Sequence, residues 1–344
     1  MEPTRRQVLS AILASGALAA CSGQTTSSSP AAATTAAGAP PSSAPAAATT
    51  SATASASASA TTQPTSTTGA EALPSTRGWI ARRGEVQPSI KARATALVEA
   101  VGRWTDGGGD LASARARATA AGFAPGLADL LAPLLGPEPA AVVQVRDAQY
   151  GGILTSSASV LVVVDQWRAA TSGHVTAGGL TVDVRLVAAT PRWRVVDALP
   201  ATPGAASGSI TRAATAALAD PRLHLPYSAR SDVTAGRIHD SVLAMLTALA
   251  REHVVDVSVL RSGHPLHVFG TSRTSDHIRG QAVDVWALDA QPLVVPDNHA
   301  LATRGMAFAV AHGAYNVGGP VQLSGRQYFS DRTHQDHIHL GFNH

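Results

Sequence analysis

The chain has 344 residues, of which 45% are hydrophobic and 14% charged, and its formal net charge is +3 at pH 7. This length allows two ordinary domains with a sizeable core, provided that most of the chain folds. The basic residues, all arginines except Lys91, are scattered and form no stripe, which argues against nucleic acid as a partner.

Residues 1–21 have the pattern of a bacterial lipoprotein signal peptide. Two arginines precede an apolar run over 8–20, and this segment resembles a twin-arginine export signal. The tetrapeptide that ends at Cys21 resembles a lipobox, which implies cleavage before Cys21 and lipidation of its sulfur. The lipid would anchor the protein to the outer face of the cytoplasmic membrane. The alternatives are an ordinary secretory signal or a transmembrane anchor, for which the run is short.

Residues 22–75 consist almost entirely of Ala, Ser, Thr, Pro and Gly. Such a segment has too little apolar surface to offset the entropy of ordering it, so it is predicted to be a disordered linker. A flexible chain of this length has a root-mean-square reach of roughly 40 Å. This reach would suit a lipid-anchored domain that extends into a cell wall.

Residues 76–204 are predicted to form an α+β domain, because helical patterns come first and strand patterns follow. The predicted helices cover 89–104, 111–121 and 126–135, and the predicted strands cover 141–146, 156–167, 178–188 and 192–198. This order is similar to the cystatin-like cone folds of the SnoaL type. That resemblance implies a spacer or a module that binds a protein partner, and the segment shows no catalytic constellation.

A connector over 205–235, with a short helix over 211–218, leads to a C-terminal domain over 236–344. Apolar residues at helical spacing predict a helix over 236–253. A strand is predicted over 254–260, ending just before Arg261. A second strand is predicted around Asp284, over 282–286.

Histidine and aspartate in the C-terminal domain have the spacing of metal ligands. A catalytic zinc takes three nitrogen or oxygen ligands and leaves one position for water. His277 and Asp284 are seven residues apart across Gly280, so a turn can bring both to one metal. The third ligand is left open by the residues alone, because His337 and His339 lie on the same face of a strand. A pair of surface imidazoles is the alternative interpretation of these two histidines.

These segments resemble the zinc D-alanyl-D-alanine carboxypeptidase family, which has the hedgehog-type DD-peptidase fold. The family motif S-x-H-x-x-G-x-A-x-D is matched at every fixed position, namely Ser275, His277, Gly280, Ala282 and Asp284. The terminal element of the family, an acidic residue three positions before a histidine, is matched by Asp336 and His339. The resemblance covers about 236–344. It implies an α+β domain with an antiparallel sheet and a Zn²⁺ ion held by His277, Asp284 and His339.

The resemblance also implies roles for four neighbouring residues. Asp336 would take a proton from the water on the metal and pass it to the leaving amine. His334 and Arg261 would polarise the scissile carbonyl or stabilise the oxyanion. Ser275 would support the loop that carries His277. For Arg261, an unremarkable surface position at a strand end is the alternative.

The sequence therefore predicts a zinc metallopeptidase at the cell envelope that cleaves peptidoglycan stem peptides, as a DD-carboxypeptidase or an endopeptidase. Its expected partners are peptidoglycan peptides and, through the lipid anchor, the membrane. The alternative function is a non-catalytic, zinc-stabilised module that binds cell-wall peptides or an envelope partner. The presence of both Asp336 and Arg261 favours the enzyme.

Overall fold

The computed structural model describes residues 71–344, so the predicted signal peptide with Cys21 and most of the predicted linker lie outside the described residues. The described part is an α+β structure with two largely antiparallel sheets, which confirms the predicted class. Within residues 71–344, no helix combines the length and the apolar character that crossing a membrane requires.

The first layer is a four-stranded antiparallel meander in the order β1-β2-β3-β4, with three helices on one face. Its core packs α1 against the sheet and includes the fully buried Ile90, Leu97 and Val162. Its elements are α1 (Pro88–Gly102), α2 (Leu111–Ala120), α3 (Leu127–Leu130), β1 (Ala140–Ile153), β2 (Ser157–Ala169), β3 (Val175–Val187) and β4 (Arg194–Pro200).

The second layer is a seven-stranded sheet in the order β10-β9-β11-β7-β6-β5, with β8 beside β7 and parallel pairing only in β5–β6 and β9–β10. Its core packs α6 and α7 against the sheet and includes Leu246, Val285 and Ile338. Its elements are α4 (Arg212–Ala219), β5 (Leu223–His224), α5 (Tyr227–Thr234), α6 (Asp240–Ala250), β6 (Val255–Val259), β7 (Ala282–Leu288), β8 (Gln291–Pro292), α7 (His299–Ala311), β9 (Asn316–Gly318), β10 (Tyr328–Phe329) and β11 (Ile338–Gly341).

Two predicted helices have other bounds in the structure. The helix predicted over 126–135 is α3 followed by a 3₁₀ turn, because Pro133 cannot donate to a continuing α-helix. The helix predicted over 236–253 begins only at Asp240, since Gly236 has a φ of 64° and follows the end of α5. Helix α5 itself lies in the predicted connector, where its polar sequence gave no helical pattern.

Strand β1 is much longer than the strand predicted over 141–146, and its additional residues reach the second layer. The apolar alternation ends before the polar residues Asp147 and Gln149. The pairing of β1 with β2 is interrupted by bulges between Val145 and Asp147 and between Tyr150 and Gly152. The unbroken apolar run of the adjacent β2 is buried on both faces, as Leu161 and Val162 show. The second layer therefore covers the face of the meander that the helices leave open.

Candidate metal centre

The pairing of two strands brings Asp284 and His339 together. Strands β7 and β11 are antiparallel neighbours, and their register places Asp284 directly opposite His339. Directly opposite side chains lie on the same face of a sheet with their Cβ atoms about 5 Å apart. Asp284 is 1% exposed and His339 is 8% exposed. One strand register thus joins two predicted ligands that are 55 residues apart in the chain.

A tight turn brings His277 to the same place. The 3₁₀ helix His277–Arg279 ends at Gly280, whose φ of 73° lies in the left-handed region, and β7 follows. The Nδ1 of His277 lies 2.7 Å from the carbonyl oxygen of Leu260. Because a carbonyl only accepts hydrogen bonds, Nδ1 carries the proton and Nε2 presents its lone pair.

Three donor atoms converge at this point. The Nε2 of His277 lies 3.1 Å from the Oδ1 of Asp284 and 3.1 Å from the Nδ1 of His339. The Nδ1 of His339 lies 3.0 Å from the same Oδ1. Ligand atoms that share one tetrahedral zinc ion at about 2.0–2.1 Å lie about 3.3 Å from one another. The observed triangle is close to that size, so these residues fit a metal ion with little movement.

His264 is a further donor beside this triangle. Ligand atoms of His264, His277 and Asp284 lie within 4.8 Å of one another and could together hold a metal ion. The ring of His264 stacks on that of His277 with centroids 4.0 Å apart. Its Nδ1 lies 3.0 Å from the carbonyl of Pro265, which leaves Nε2 as the free nitrogen. The ligand atoms of this group are spread over as much as 4.8 Å, whereas those of His277, Asp284 and His339 lie within 3.1 Å of one another. His339 therefore needs less movement than His264 to share an ion with His277 and Asp284.

The electrostatics of the cluster suit a cation. Burial alone would raise the pKa of Asp284, but the facing imidazoles of His277 and His337 hold it well below its usual value. Burial lowers the pKa of His339 to about 4, although Asp284 opposes this shift. Burial also lowers the pKa of His264 far below its usual value. The cluster therefore combines the ionised carboxylate of Asp284 with the neutral imidazoles of His339 and His264, the forms that bind metal.

Gln149 of the first layer fixes the second oxygen of Asp284. Its Nε2 donates to the Oδ2 of Asp284 over 2.6 Å, and its Oε1 accepts a short hydrogen bond from Ser258. The amide is thereby oriented on both sides, and the Oδ1 of Asp284 stays directed at the histidines. Gln149 was missed at the sequence level, because a glutamine in a strand carries no spacing signal for a partner 135 residues away.

His337 adjoins the cluster, and Asp336 lies behind it. The Nε2 of His337 lies 3.7 Å from the Oδ1 of Asp284, and its Nδ1 lies 2.6 Å from the Oδ1 of Asp336. Burial lowers the pKa of His337, but the carboxylates of Asp284 and Asp336 outweigh burial and raise it to about 9. The predicted general base thus contacts the site through an imidazole that the family resemblance left without a role.

The other oxygen of Asp336 faces the first layer. Its Oδ2 forms an ion pair with the Nζ of Lys91 at 2.5 Å and accepts the backbone N–H of Tyr150 at 3.0 Å. Lys91 is fully buried and also pairs with Glu85. Burial would lower the pKa of Lys91, but Asp336 and Glu85 outweigh burial and raise it. In the sequence, Asp336 is linked to the predicted metal site only by its position three residues before His339. Its contacts with Lys91 and Tyr150 are formed by the fold.

The titration of Glu85 leads to a testable pH dependence. Burial raises its pKa from 4.5 to about 7, although Lys91 opposes the shift. The folded state therefore binds the proton more tightly, so this stabilisation is complete below about pH 4.5 and is lost as the pH rises through about 7. Between pH 5 and 8 we expect the free energy of unfolding of the wild type to fall, relative to Glu85→Gln, by on the order of 2 kcal/mol. Urea unfolding of both proteins across this range measures the difference, and a constant difference would contradict the shift.

His334 stands at the cavity side of the cluster. Its Nδ1 lies 2.8 Å from the Oδ1 of Asp331, and the backbone N–H groups of Thr333 and His334 bind the same oxygen. Its ring centroid is 5.1 Å from that of His337 and 5.7 Å from that of His339. With Nδ1 held by a carboxylate, Nε2 is the nitrogen available to a ligand in the cavity.

Ser275 and Arg261 both bond to the segment that carries His277. The Oγ of Ser275 accepts the backbone N–H of His277 over 3.3 Å. The Nε of Arg261 donates to the carbonyl of Ile278 over 3.0 Å, so its side chain lies behind this segment and away from the cavity. The structure thus places Ser275 and Arg261 around the turn, whereas His334 lies beside the donor triangle.

A cavity of about 690 Å³ opens over the cluster, and both layers line it. The first layer contributes the end of β1 from Tyr150 to Ile153 and the following Leu154, and the second layer contributes the segments around Phe269 and Phe329. Strand β1 and the Phe269 segment pack closely, because a Cβ on Gly152 would lie 2.1 Å from the Cβ of Phe269. The cavity is therefore formed between the two layers, and each layer supplies part of its wall.

Comparison of the chain with protein-family models, with curated proteins and with solved structures finds no match in any of the three.

Proposed function

We propose that the chain is a zinc metallopeptidase that cleaves peptidoglycan stem peptides, as a DD-carboxypeptidase or an endopeptidase. The observation that carries this proposal is the convergence of His277, Asp284 and His339 within 3.1 Å of one another at a large cavity. The proposal includes a hedgehog/DD-peptidase-like fold for 236–344 and a cystatin-like fold for 76–204. It also includes anchoring to the outer face of the cytoplasmic membrane through a lipid on Cys21.

The donor set is the reason for proposing zinc. Two imidazole nitrogens and one carboxylate oxygen are typical of catalytic zinc, which needs a position left open for water. His277, Asp284 and His339 would hold the ion. Bound there, zinc would polarise the scissile carbonyl and lower the pKa of water to near neutrality. The Leu260 carbonyl and Gln149 already orient two of these ligands.

One imidazole backed by a carboxylate, that of His334, would move protons at this site, and the imidazole of His337, whose pKa is raised to about 9, would contribute a positive charge beside it. His337 receives support at Nδ1 from Asp336, and its Nε2 faces Asp284. His334 receives the same support from Asp331 and lines the cavity. An imidazole held by a carboxylate in one tautomer, as His334 is, can accept a proton from water and return it to a leaving amine. Asp336, the base implied by the family resemblance, would act by orienting His337.

The lining of the cavity favours a substrate with a free carboxylate, such as a stem peptide. Arg273, Arg326 and Arg332 line the cavity and form no ion pair with any carboxylate of residues 71–344. The two acidic groups of the lining outside the donor triangle are engaged, since Asp276 accepts the Tyr315 hydroxyl at 2.8 Å and Asp331 binds His334. Guanidinium groups without partners bind carboxylates well.

The test is to load the purified full chain with zinc and incubate it with defined muropeptides of tripeptide, tetrapeptide, pentapeptide and cross-linked type. Mass spectrometry should detect one specific cleavage product. The variant His334→Ala should bind zinc as the wild type does and lose activity about 100-fold or more, because one proton-transfer group is missing. Leu154→Ala, in the cavity wall, is the control that should retain most of the activity.

The non-catalytic binding module is the second candidate. It is favoured by the position of Asp336 and Arg261, whose side chains bond to Lys91 and to the Ile278 carbonyl instead of facing the cavity. Stoichiometric zinc and muropeptide binding without product, over the whole substrate panel, would support this candidate and contradict the enzyme. Absence of zinc binding would contradict both.

A further inference from the structure

Lys91 is an unusual residue in this chain. It is the only lysine among 26 Lys and Arg residues, and it is fully buried in helix α1 of the first layer. Burying an ammonium group costs several kcal/mol unless its partners are well placed, and such ion pairs contribute little net stability. A contribution to the stability of the fold is therefore a weak explanation for the presence of Lys91 at this position.

The partners of Lys91 lead directly to the candidate site. Its Nζ lies 2.5 Å from the Oδ2 of Asp336 and 5.0 Å from the centroid of the Tyr150 ring. The remaining oxygen of Asp336 binds the Nδ1 of His337 at 2.6 Å. The Nε2 of His337 lies 3.7 Å from the Oδ1 of Asp284. A chain of four side chains thus runs from helix α1 to the donor triangle.

This geometry leaves the Asp336 carboxylate little freedom. One oxygen is held by Lys91 and by the N–H of Tyr150, and the other faces His337. A carboxylate that stays ionised and fixed accepts a hydrogen bond from Nδ1 of the imidazole, and so determines the ring orientation. Without the ammonium group, Asp336 would be a buried carboxylate that lacks a cation and favours its protonated form.

We propose that Lys91 is a positioning residue of the candidate site, which acts through Asp336 to hold the His337 imidazole beside Asp284. The proposal rests on the proposed function, because it assigns a role within the same site. It also makes the first layer an integral part of that site, since α1 supplies Lys91, while β1 supplies Gln149 and a cavity wall.

The test uses the full chain with Lys91→Met, which keeps the length of the side chain and removes its charge. We expect a shift of the His337 side-chain signals in ¹H–¹⁵N spectra of zinc-free protein labelled at histidine. With zinc and muropeptide, kcat should fall about 10- to 100-fold, as is typical for loss of an outer support, while KM changes little. Lys91→Arg, which keeps the charge, should return the His337 signals toward those of the wild type.

Three further variants separate positioning from stability. Asp336→Asn should produce the same shift at His337, and the double variant Lys91→Met/Asp336→Asn should be no worse than the worse single variant. Gln166→Leu is the matched control, because it removes two buried hydrogen bonds of 2.8 Å, one to the carbonyl of Gly102 at the opposite end of α1 and one to the carbonyl of Leu134. It should lower thermal stability and leave the His337 signals and kcat unchanged.

The proposal is overturned if Lys91→Met lowers only thermal stability, as Gln166→Leu does, or if the effects of Lys91→Met and Asp336→Asn add. If Lys91→Met does not fold, Asp336→Asn and Lys91→Arg decide the question through the same histidine spectra. If the wild type cleaves no muropeptide, the proposed function fails. The zinc-free spectra then still decide the role of Lys91.

Discussion

Replacing Asp284 with Asn is expected to abolish metal binding at the site. The Oδ1 of Asp284 lies within 3.1 Å of donor nitrogens on His277 and His339, and it supplies the only negative charge of the triangle. Loss of outer-shell support alone costs about 10- to 100-fold in metal affinity, so loss of this ligand should cost more than about 100-fold. At a free zinc concentration 100 times the dissociation constant, zinc should raise the free energy of unfolding of the wild type by about 2.7 kcal/mol. This gain should disappear in Asp284→Asn.

Asp276→Asn is the matched control for this experiment. Asp276 also lines the cavity, but its carboxylate accepts the Tyr315 hydroxyl at 2.8 Å and faces Arg279. The Asp276→Asn variant should therefore bind zinc with nearly the wild-type affinity, as measured by competition with a chelating dye. Equal losses in both variants would mean that the effect is a general one of charge in the cavity, and the ligand assignment would be wrong.

The same assay identifies the third ligand. His339 lies 3.0–3.1 Å from the other two donors, whereas the grouping with His264 extends over as much as 4.8 Å. His339→Ala should thus weaken zinc binding far more than His264→Ala. The reverse order would replace His339 with His264 in the ligand set.

Replacing Gly280 with Ala is expected to destabilise the protein strongly and to weaken zinc binding. Gly280 has a φ of 73°, and a Cβ there would lie 2.0 Å from the backbone oxygen of Arg237. The left-handed conformation costs a residue with a Cβ about 1–2 kcal/mol, and the collision must also displace the backbone before α6. We expect a total loss of at least about 3 kcal/mol, measured by urea unfolding.

Gly107→Ala separates the two contributions. Gly107 has a φ of 76°, but a Cβ there would have no atom within 4 Å. This control should lose only the cost of conformation, about 1–2 kcal/mol, and keep its zinc affinity. A similar loss in both variants would show that the contact with Arg237 yields easily and that the turn between His277 and Asp284 tolerates a side chain.

Local patterns in the sequence were sufficient to predict most elements and the proximity of His277 and Asp284. Helix α1 and strand β2 have strong local signals, namely helical spacing and a β-branched apolar run. His277 and Asp284 are joined by a single turn that needs only Gly280, so their proximity is a local property. His339 required the terminal motif of a family, because spacing alone left His337 equally suitable.

The tertiary structure decided what surrounds these ligands. Gln149 binds Asp284 across 135 residues, the backbone N–H of Tyr150 binds Asp336 across 186, and Lys91 pairs with Asp336 across a longer separation still. No local pattern encodes such contacts between the two layers. The predicted strand ended at 146 because polar residues begin there, yet those residues are the ones that β1 carries into the site. The sequence by itself thus predicted that His277 and Asp284 lie close together, since a turn is a short-range feature, whereas His339 was implied by the family resemblance. The side chains around these residues take their directions from long-range packing, which only the folded chain defines. For the same reason, the tertiary structure alone shows that Asp336 bonds to Lys91 and Tyr150 and does not face the cavity.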